Sequence, residues 1–292
     1  MTPSSWVKAT DGLDLAVYEA GDPGAATIVA IHGYPDNASV WEGVIELLRD
    51  RFHVLSYDVR GAGQSGAPAG RAGYRLDQLE ADFNSVIQAF SPDRPVHLLA
   101  HDWGSIQGWQ CVTSDRLQAR IASFTSISGP GLEQAARWMR SKLRPSRHDL
   151  AALVRQLGHS YYLLLFQLPG LPELGWRSGL LDRLLGRRSS TDGRSLADKI
   201  NGLELYRANR RPRRSVPALA RTDIPIQVLA PTDDPFVGQP LQTEAPGPYA
   251  SDLRIHSVAG GHWIMRRHPE VVAQACAQLV DEVEGSGRPG TD

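Results

Sequence analysis

Residues 95–105 constrain the fold of this chain more than any other stretch. Residues 96–100 are apolar and β-prone, which predicts a buried strand, and the small residues Ala100 and Gly104 stand two positions either side of Asp102. A strand that turns sharply into a helix strains its central residue and requires small residues at those two positions. The pattern therefore predicts Asp102 exposed at the tip of such a turn. The alternative is that Asp102 caps the next helix, a role that aspartate also favours.

Predicted strands and helices alternate along the first 130 residues. This alternation indicates an α/β protein with a mostly parallel sheet and helices on both faces. The predicted strands are 6–10, 13–20, 27–31, 52–57, 96–100 and 121–127. The predicted helices are 40–49, 76–90 and 105–113.

The alternation stops after residue 130, and residues 131–217 contain helical patterns without a convincing strand. Examples are residues 150–157, 161–166 and 195–206. Strands return at 224–230 and 253–258, and an amphipathic helix is predicted at 269–283. We therefore predict a core of residues 1–130 and 218–284, a helical cap of residues 131–217 inserted into it, and a disordered polar tail at 285–292.

Composition argues against several kinds of partner. The formal net charge of −1 provides no basic surplus for nucleic acid. The two cysteines, Cys111 and Cys276, each lie in an apolar helical pattern, as reduced core thiols of a cytosolic protein do. Neither an N-terminal signal pattern nor a run of about eighteen apolar residues is present. We therefore expect a cytoplasmic protein without membrane contact, and the excess of arginine over lysine fits a GC-rich bacterial genome.

Three loops that follow predicted strands carry residues suited to catalysis. Asp102 follows residues 96–100, Asp233 and Asp234 follow residues 224–230, and His262 follows residues 253–258. Reactive groups in open parallel sheets collect at the carboxyl ends of strands. The order of a nucleophile, an acid and a histidine is the order of an α/β-hydrolase triad.

Three motifs extend this pattern, so that the chain resembles the α/β-hydrolase superfamily, and within it the epoxide hydrolases, over nearly its whole length. HGYP at 32–35 matches the HGxP oxyanion loop, DVRGAGQS at 58–65 matches DxRGxGxS, and HDWG at 101–104 matches the HDxG elbow. Ala100 replaces the glycine of the general elbow but is small enough to leave the turn intact. The resemblance implies an α/β-hydrolase fold with an inserted helical cap, and an enzyme that needs neither a cofactor nor a metal ion.

An aspartate nucleophile suits attack on a saturated carbon, because it forms an ester that water can cleave. Asp102 needs no activating base, since an ordinary aspartate with a pKa of about 3.9 is ionised at neutral pH. His262 would then activate the water, and a carboxylate would orient its ring. The spacing favours Asp234 over Asp233 for that carboxylate. The backbone N–H groups of Tyr34 and Trp103 would stabilise the oxyanion.

The leaving group separates epoxide hydrolases from haloalkane dehalogenases. An epoxide leaves as an alkoxide, which needs an acid such as tyrosine, whereas a halide needs N–H donors. The resemblance places the two cap tyrosines of epoxide hydrolases at Tyr162, four residues before FQLPG, and at Tyr206, within YRAN. Without this context both would be taken as packing residues. Trp103 keeps the dehalogenase alternative open, but Tyr34 stands where dehalogenases commonly have asparagine.

The predicted function is therefore that of a hydrolase acting on ether bonds, which converts an epoxide and water into a vicinal diol. We expect His32, His101, Phe166 and Trp263 to lie at the substrate, and the apolar cap predicts a bulky hydrophobic one. A haloalkane dehalogenase is the first alternative, and a non-catalytic ligand-binding homologue is the second.

Two further motifs suggest other ligands. Residues 61–66 fit the dinucleotide pattern GxGxxG, but no helix is predicted to start there, so we do not assign a nucleotide to them. The basic run at 210–214 is predicted to be a solvated surface.

Overall fold

The computed structural model describes residues 1–143, 147–186, 194–210 and 221–286. Within these residues, eight strands form one sheet in the order β1-β2-β4-β3-β5-β6-β7-β8. The strands are β1 (Ser5–Lys8), β2 (Asp14–Ala20), β3 (Thr27–Ile31), β4 (His53–Tyr57), β5 (Val96–His101), β6 (Ile121–Ile127), β7 (Ile226–Pro231) and β8 (Leu253–Val258). Strand β2 pairs antiparallel with β1 and β4, and the other pairs are parallel. The predicted α/β fold with a mostly parallel sheet is confirmed.

Helices follow in chain order around this sheet. They are α1 (Glu42–Leu48), α2 (Leu76–Phe90), α3 (Trp103–Val112), α4 (Leu132–Ser141), α5 (Arg147–His159), α6 (Tyr161–Gln167), α7 (Leu171–Arg177), α8 (Leu180–Gly186), α9 (Leu196–Asn201), α10 (Leu203–Ala208), α11 (Gln239–Glu244), α12 (Ile264–Arg267) and α13 (Pro269–Ser286). Between β6 and β7 the described residues contain helices α4 to α10 and no named strand. None of the described helices is both long enough and apolar enough to cross a membrane.

The central strands are apolar because helices cover both of their faces. All five residues of β3 are buried, and its four apolar residues alternate between two core clusters. Val29 and Ile31 belong to a cluster that includes buried residues of α2 and α3. Ile28 and Ala30 belong to a second cluster, which includes buried residues of α1 and α13. The site therefore stands on strands that are fixed from both sides.

Two predicted helices differ from the observed ones. The helix predicted at 40–49 starts as a 3₁₀ turn, Ala38–Trp41, before α1. The helix predicted at 195–206 is divided into α9 and α10 at Gly202. The ring of Tyr34 packs there so closely that a Cβ on Gly202 would lie 2.2 Å from its Cδ2 atom. This contact comes from a distant part of the chain, so local periodicity could not reveal it.

The proposed division into a core of residues 1–130 and 218–284 and a cap of residues 131–217 stays a prediction. The predicted tail is wrong at residues 285 and 286, which continue helix α13. The cap's C-terminal boundary, residues 211–214 of the basic run and residues 287–292 of the tail lie outside the described residues.

Candidate active site

The turn between β5 and α3 has the strained geometry that the sequence predicts. Asp102 has φ 52° and ψ −120°, and its side chain makes no capping hydrogen bond to α3. Asp102 occupies the N-cap position of α3, but its carboxylate does not make the capping hydrogen bond on which the alternative depends. The expectation that Asp102 is exposed at the tip is wrong, because the residues around the cavity bury it. A Cβ on Gly104 would lie 2.2 Å from the carbonyl oxygen of Ile31, and one on Gly129 would lie 2.3 Å from that of Asp102. Neighbouring loops approach the turn too closely for side chains at these positions.

The structure brings Asp102, Asp234 and His262 together. His262 donates from Nδ1 to Asp234 Oδ2 at 2.9 Å, and its Nε2 atom lies 3.7 Å from Asp102 Oδ2. Asp234 Oδ1 also accepts from the backbone N–H of Phe236 at 2.8 Å and of Val237 at 3.0 Å. Asp233 is exposed, and its side chain accepts from Thr232. The geometry thus places Asp234, and not Asp233, beside the histidine.

Burial and charge shift the pKa values of all three groups. Burial raises the pKa of Asp102 to about 6, although His262 and two backbone N–H groups oppose the shift. The expectation of an ordinary aspartate pKa is therefore wrong, and its physical reason is desolvation. Burial acts against the charged forms of Asp234 and His262 as well, but their mutual attraction and hydrogen bond lower the pKa of Asp234 and raise that of His262.

Two backbone donors hold the Asp102 carboxylate. The N–H of Tyr34 donates to Asp102 Oδ1 at 2.8 Å, and the N–H of Trp103 also donates to this carboxylate. Gly33 allows the approach, since a Cβ there would lie 2.5 Å from Asp102 Cβ. The predicted oxyanion donors therefore already bind an oxygen of the candidate nucleophile.

Both cap tyrosines face this carboxylate. Tyr162 and Tyr206 line one cavity with Asp102 and His262, and their ring centroids are 6.2 Å apart. The Tyr206 ring also packs at 5.0 Å on Trp103 and at 5.3 Å on Tyr34. Burial, together with the nearby charge of Asp102, raises the pKa of both phenols. They are therefore protonated donors at neutral pH.

Together with the space at its mouth that is open to solvent, the cavity has a volume of about 490 Å³, and its walls are mainly aromatic. Phe166 and Trp263 are among its lining residues, as predicted from the sequence. Four other lining residues could not be predicted from a motif, because packing of distant segments brings them to the site. They are Trp176, Phe236, Arg194 and Lys199.

The structure does not place His32 and His101 on the wall of this cavity. His32 accepts from the N–H of Val59 at 2.8 Å, and His101 contacts the carbonyl oxygen of His262 through Nε2 at 2.9 Å. Burial and the nearby charge of His262 lower the pKa of His101 to about 3, so it is neutral. We correct the expectation of substrate contact, since both histidines hold loops in position behind the site.

The loop at residues 61–66 is held by carboxylates. The N–H of Gly63 donates to Asp198 at 2.9 Å, and that of Gln64 donates to Asp58 at 2.8 Å. A 3₁₀ turn, Arg71–Tyr74, is the next helical element. These contacts agree with the interpretation that the motif is not a dinucleotide site, because a phosphate would have to displace the carboxylates.

The known proteins that resemble this chain agree with the geometry of the site. Residues 26–269 match the family described as alpha/beta hydrolase fold. The chain belongs to this family. The "probable oxidoreductase EphD" of Mycobacterium tuberculosis is 33% identical over 301 residues, which cover 97% of this chain and 50% of that protein. Epoxide hydrolase A of M. tuberculosis is 32% identical over 174 residues, which cover 59% of this α/β-hydrolase and 50% of that protein.

The matched residues cover about half the length of each of these two relatives, and in EphD this half corresponds to nearly the whole of this chain. Among solved structures, epoxide hydrolase A from Mycobacterium thermoresistibile has a TM-score of 0.75 at 24% identity, covering 96% of this chain and 98% of that one. At this identity the likeness shows the fold. The similarity to epoxide hydrolase A of M. tuberculosis confirms the resemblance to epoxide hydrolases found in the motifs.

Proposed function

We propose that this α/β-hydrolase is a cofactor-independent epoxide hydrolase. One observation carries the proposal: Asp102, His262, Tyr162 and Tyr206 line one cavity. A nucleophile, a base and two acids are the groups that epoxide opening through an ester requires.

In the proposed first step, Asp102 Oδ2 attacks a ring carbon of the epoxide. The carbon–oxygen bond breaks, and the ring oxygen takes a proton from Tyr162 or Tyr206. Oδ2 suits the attack because Oδ1 accepts the hydrogen bond from Tyr34. The product of this step is an ester whose carbonyl oxygen, Oδ1, already lies in the oxyanion hole.

In the proposed second step, His262 takes a proton from water, and the hydroxide attacks the carbonyl carbon of Asp102. The 3.7 Å between Nε2 and Asp102 Oδ2 exceeds hydrogen-bonding distance, so Nε2 is available to a water molecule. Asp234 stabilises the imidazolium. Collapse of the tetrahedral intermediate breaks the bond between the carbonyl carbon and Oδ2 and releases the diol oxygen as an alkoxide, which takes the proton of the newly formed Asp102 carboxyl group. The proton held by His262 returns to the tyrosinate, so that the diol leaves and all three groups are restored.

The dehalogenase alternative lacks comparable support. A halide would require N–H donors at the cavity. The indole N–H of Trp263 donates to Asp36 at 2.7 Å, whereas that of Trp176, on the same wall, is buried without a hydrogen-bond acceptor among the described residues. Tyr34 occupies the position of the dehalogenase asparagine, and its hydroxyl donates to the carbonyl oxygen of Lys199 at 2.7 Å. The phenols of Tyr162 and Tyr206 would have no role in halide release.

The aromatic walls support a bulky hydrophobic epoxide as the substrate. We also propose a cytoplasmic location, which the buried free thiols of Cys111 and Cys276 support.

The direct test incubates the protein with a chromogenic aryl epoxide and, in parallel, with a haloalkane. We expect diol from the epoxide and no halide. A single turnover in ¹⁸O-labelled water should place the label in Asp102, and the His262→Gln variant should gain the mass of the epoxide as the ester accumulates. Halide release would favour the dehalogenase, and no product from either compound would favour the non-catalytic alternative.

A further inference from the structure

Large apolar side chains are exposed mainly on the helices between β6 and β7. Outside this segment, the exposed ones among the described residues are Met1, Trp6, Leu47 and Ile255. Helices α5 to α8 and their connections carry far more of them. Prominent members are Val154, Leu157, Tyr161, Leu164, Leu171 and Leu174.

Helix α6 shows this exposure of apolar side chains most clearly, because it is apolar on both sides. Tyr162 and Phe166 point into the cavity. On the other side Tyr161 is 54% exposed and Leu164 is 77% exposed. A helix that is apolar all round is normally buried all round. The outer side of α6 is therefore exposed to water although its side chains are apolar.

The neighbouring helices repeat this arrangement. On α5, Val154 and Leu157 are exposed whereas Leu153 is buried; on α7, Leu174 is exposed whereas Trp176 is buried. Helix α5 contacts α6, α6 contacts α7, and α7 contacts α8. The outward apolar side chains of α5–α8 thus form a surface, here called the cap surface, of the kind that marks an interaction site.

The acidic side chains of these helices are neutralised within the protein. Each of the three described acids forms an ion pair with a cation. The pairs are Lys142 Nζ with Asp149 Oδ1 at 2.9 Å, Arg207 Nη1 with Glu173 Oε1 at 2.6 Å, and Lys199 Nζ with Asp182 Oδ1 at 2.6 Å. No acidic group of these helices is thus left as an isolated negative charge on the cap surface.

Three arginines on the same helices, unlike the acidic side chains, are not neutralised by an ion pair among the described residues. Arg155, Arg177 and Arg183 are exposed, and their side chains form no ion pair within the part of the chain that the structure describes. The cap surface therefore combines exposed leucines with unneutralised guanidinium groups. Apolar residues beside basic ones are the features of a surface that binds an anionic lipid interface.

We propose that the cap surface binds an anionic lipid surface. The leucines of α5–α8 would enter the interface, and the three arginines would contact lipid phosphates. Side chains of α6 and α7 line the cavity, so the lipid would lie on the opposite side of the same helices. This departs from the expectation of no membrane contact, which rested on the absence of a spanning segment and could not test binding at a surface.

The experiment measures flotation of the protein with phosphatidylglycerol vesicles and with phosphatidylcholine vesicles, without any epoxide. We expect stronger binding to the anionic vesicles, weakened by salt. The Leu164→Gln variant should lose about tenfold in vesicle affinity or more, because a leucine side chain no longer enters the apolar phase. The Leu47→Gln variant is the matched control, since Leu47 is 52% exposed on α1, away from the cap surface.

A second pair of variants tests the charge. Arg155→Gln with Arg177→Gln should weaken binding to anionic vesicles and leave binding to neutral ones unchanged, whereas Arg116→Gln, on the core, should change neither. Circular dichroism checks that each variant is folded. The proposal would be overturned by equal losses in Leu164→Gln and Leu47→Gln, by no binding to either vesicle, or by a dimer that Leu164→Gln dissociates, which would assign the cap surface to a second copy. Because no epoxide is present, these outcomes do not depend on the proposed hydrolase activity.

Discussion

Arg194 and Asp36 form a buried ion pair between the helical segment and the loop that follows β3. The guanidinium lies 2.7 Å from Asp36 Oδ1, and the side chains are 1% and 0% exposed. Trp263 donates its indole N–H to the other oxygen, Oδ2, at 2.7 Å, and the Arg194 guanidinium stacks 4.7 Å from the Trp263 ring centroid. One carboxylate therefore ties together the loop of Tyr34, the loop of His262 and the segment that covers them.

Removing one member of this pair should be more harmful than removing both. We expect Arg194→Met to lower the free energy of unfolding by about 3 kcal/mol, because it leaves a buried carboxylate uncompensated. Adding Asp36→Asn should restore part of this loss. Urea unfolding at pH 7 measures the effects, with Arg183→Met at an exposed arginine as the control. If the double variant lost the sum of the two single losses in free energy of unfolding, Arg194 and Asp36 would not be coupled.

The Asp102→Asn variant should lose turnover but gain stability. The carboxylate is buried with a pKa raised to about 6. The folded state thus disfavours its ionised form, and an uncharged asparagine should raise the free energy of unfolding by about 2 kcal/mol at pH 8. The gain should be present above pH 6 and disappear as the pH falls from 6 towards 4, where Asp102 itself becomes protonated.

Urea unfolding of both proteins at pH 8 and at pH 5 measures this difference. Asp233→Asn, at an exposed carboxylate of a neighbouring loop, serves as the control and should change stability little at either pH. A lower free energy of unfolding for Asp102→Asn than for the wild type at pH 8 would show that the ionised Asp102 carboxylate does not destabilise the folded protein.

The cap tyrosines should be needed for ring opening. We expect Tyr162→Phe and Tyr206→Phe each to lower kcat for an epoxide by about a hundredfold, which is typical of losing a general acid, and the double variant to be inactive. Tyr161→Phe is the matched control, because Tyr161 is exposed on the same helix. Stopped-flow measurement of ester formation locates the loss in the first step. Full activity in the double variant would remove the reason for preferring epoxides over haloalkanes.

The strands and the elbow could be predicted because their determinants are local. Apolar runs specify strands such as β3, and Gly104 two positions after Asp102 specifies the turn. The order of Asp102, Asp234 and His262 along the chain was enough to predict their meeting at one edge of the sheet.

Contacts between distant segments could not be predicted in this way. No motif indicates that Arg194 reaches Asp36, or that the Tyr34 ring fits against Gly202 and divides a predicted helix. The raised pKa of Asp102 could not be predicted either, because its desolvation depends on residues between β6 and β7 that line the same cavity. The motifs predict that His32 and His101 lie near the cavity, but the role of each depends on which loop its ring contacts.

Activity should have an acid limb and no basic limb near neutrality. Asp102 must be ionised for the first step, so kcat/KM should fall as the pH falls through about 6. His262 has a raised pKa and must be neutral to activate water, so kcat should also fall on the acid side. The phenols have raised pKa values and stay protonated past the ordinary tyrosine pKa of about 10. Initial rates from pH 4 to pH 10 would test this, and a basic limb near pH 8 would contradict the assigned acids.

Replacing Gly104 and Gly158, which both lie in helices, by alanine should have opposite effects on the free energy of unfolding. A Cβ on Gly104 would lie 2.2 Å from the Ile31 carbonyl oxygen and 2.6 Å from that of His32, both backbone atoms that cannot move aside cheaply. We expect Gly104→Ala to lower the free energy of unfolding by about 3 kcal/mol or more. Gly158 lies in α5, where an added Cβ would meet nothing within 4 Å, so Gly158→Ala should raise it by about 0.5 to 1 kcal/mol. Urea unfolding of both variants measures the contrast. Equal effects would mean that the close approach of β3 to the elbow does not constrain position 104.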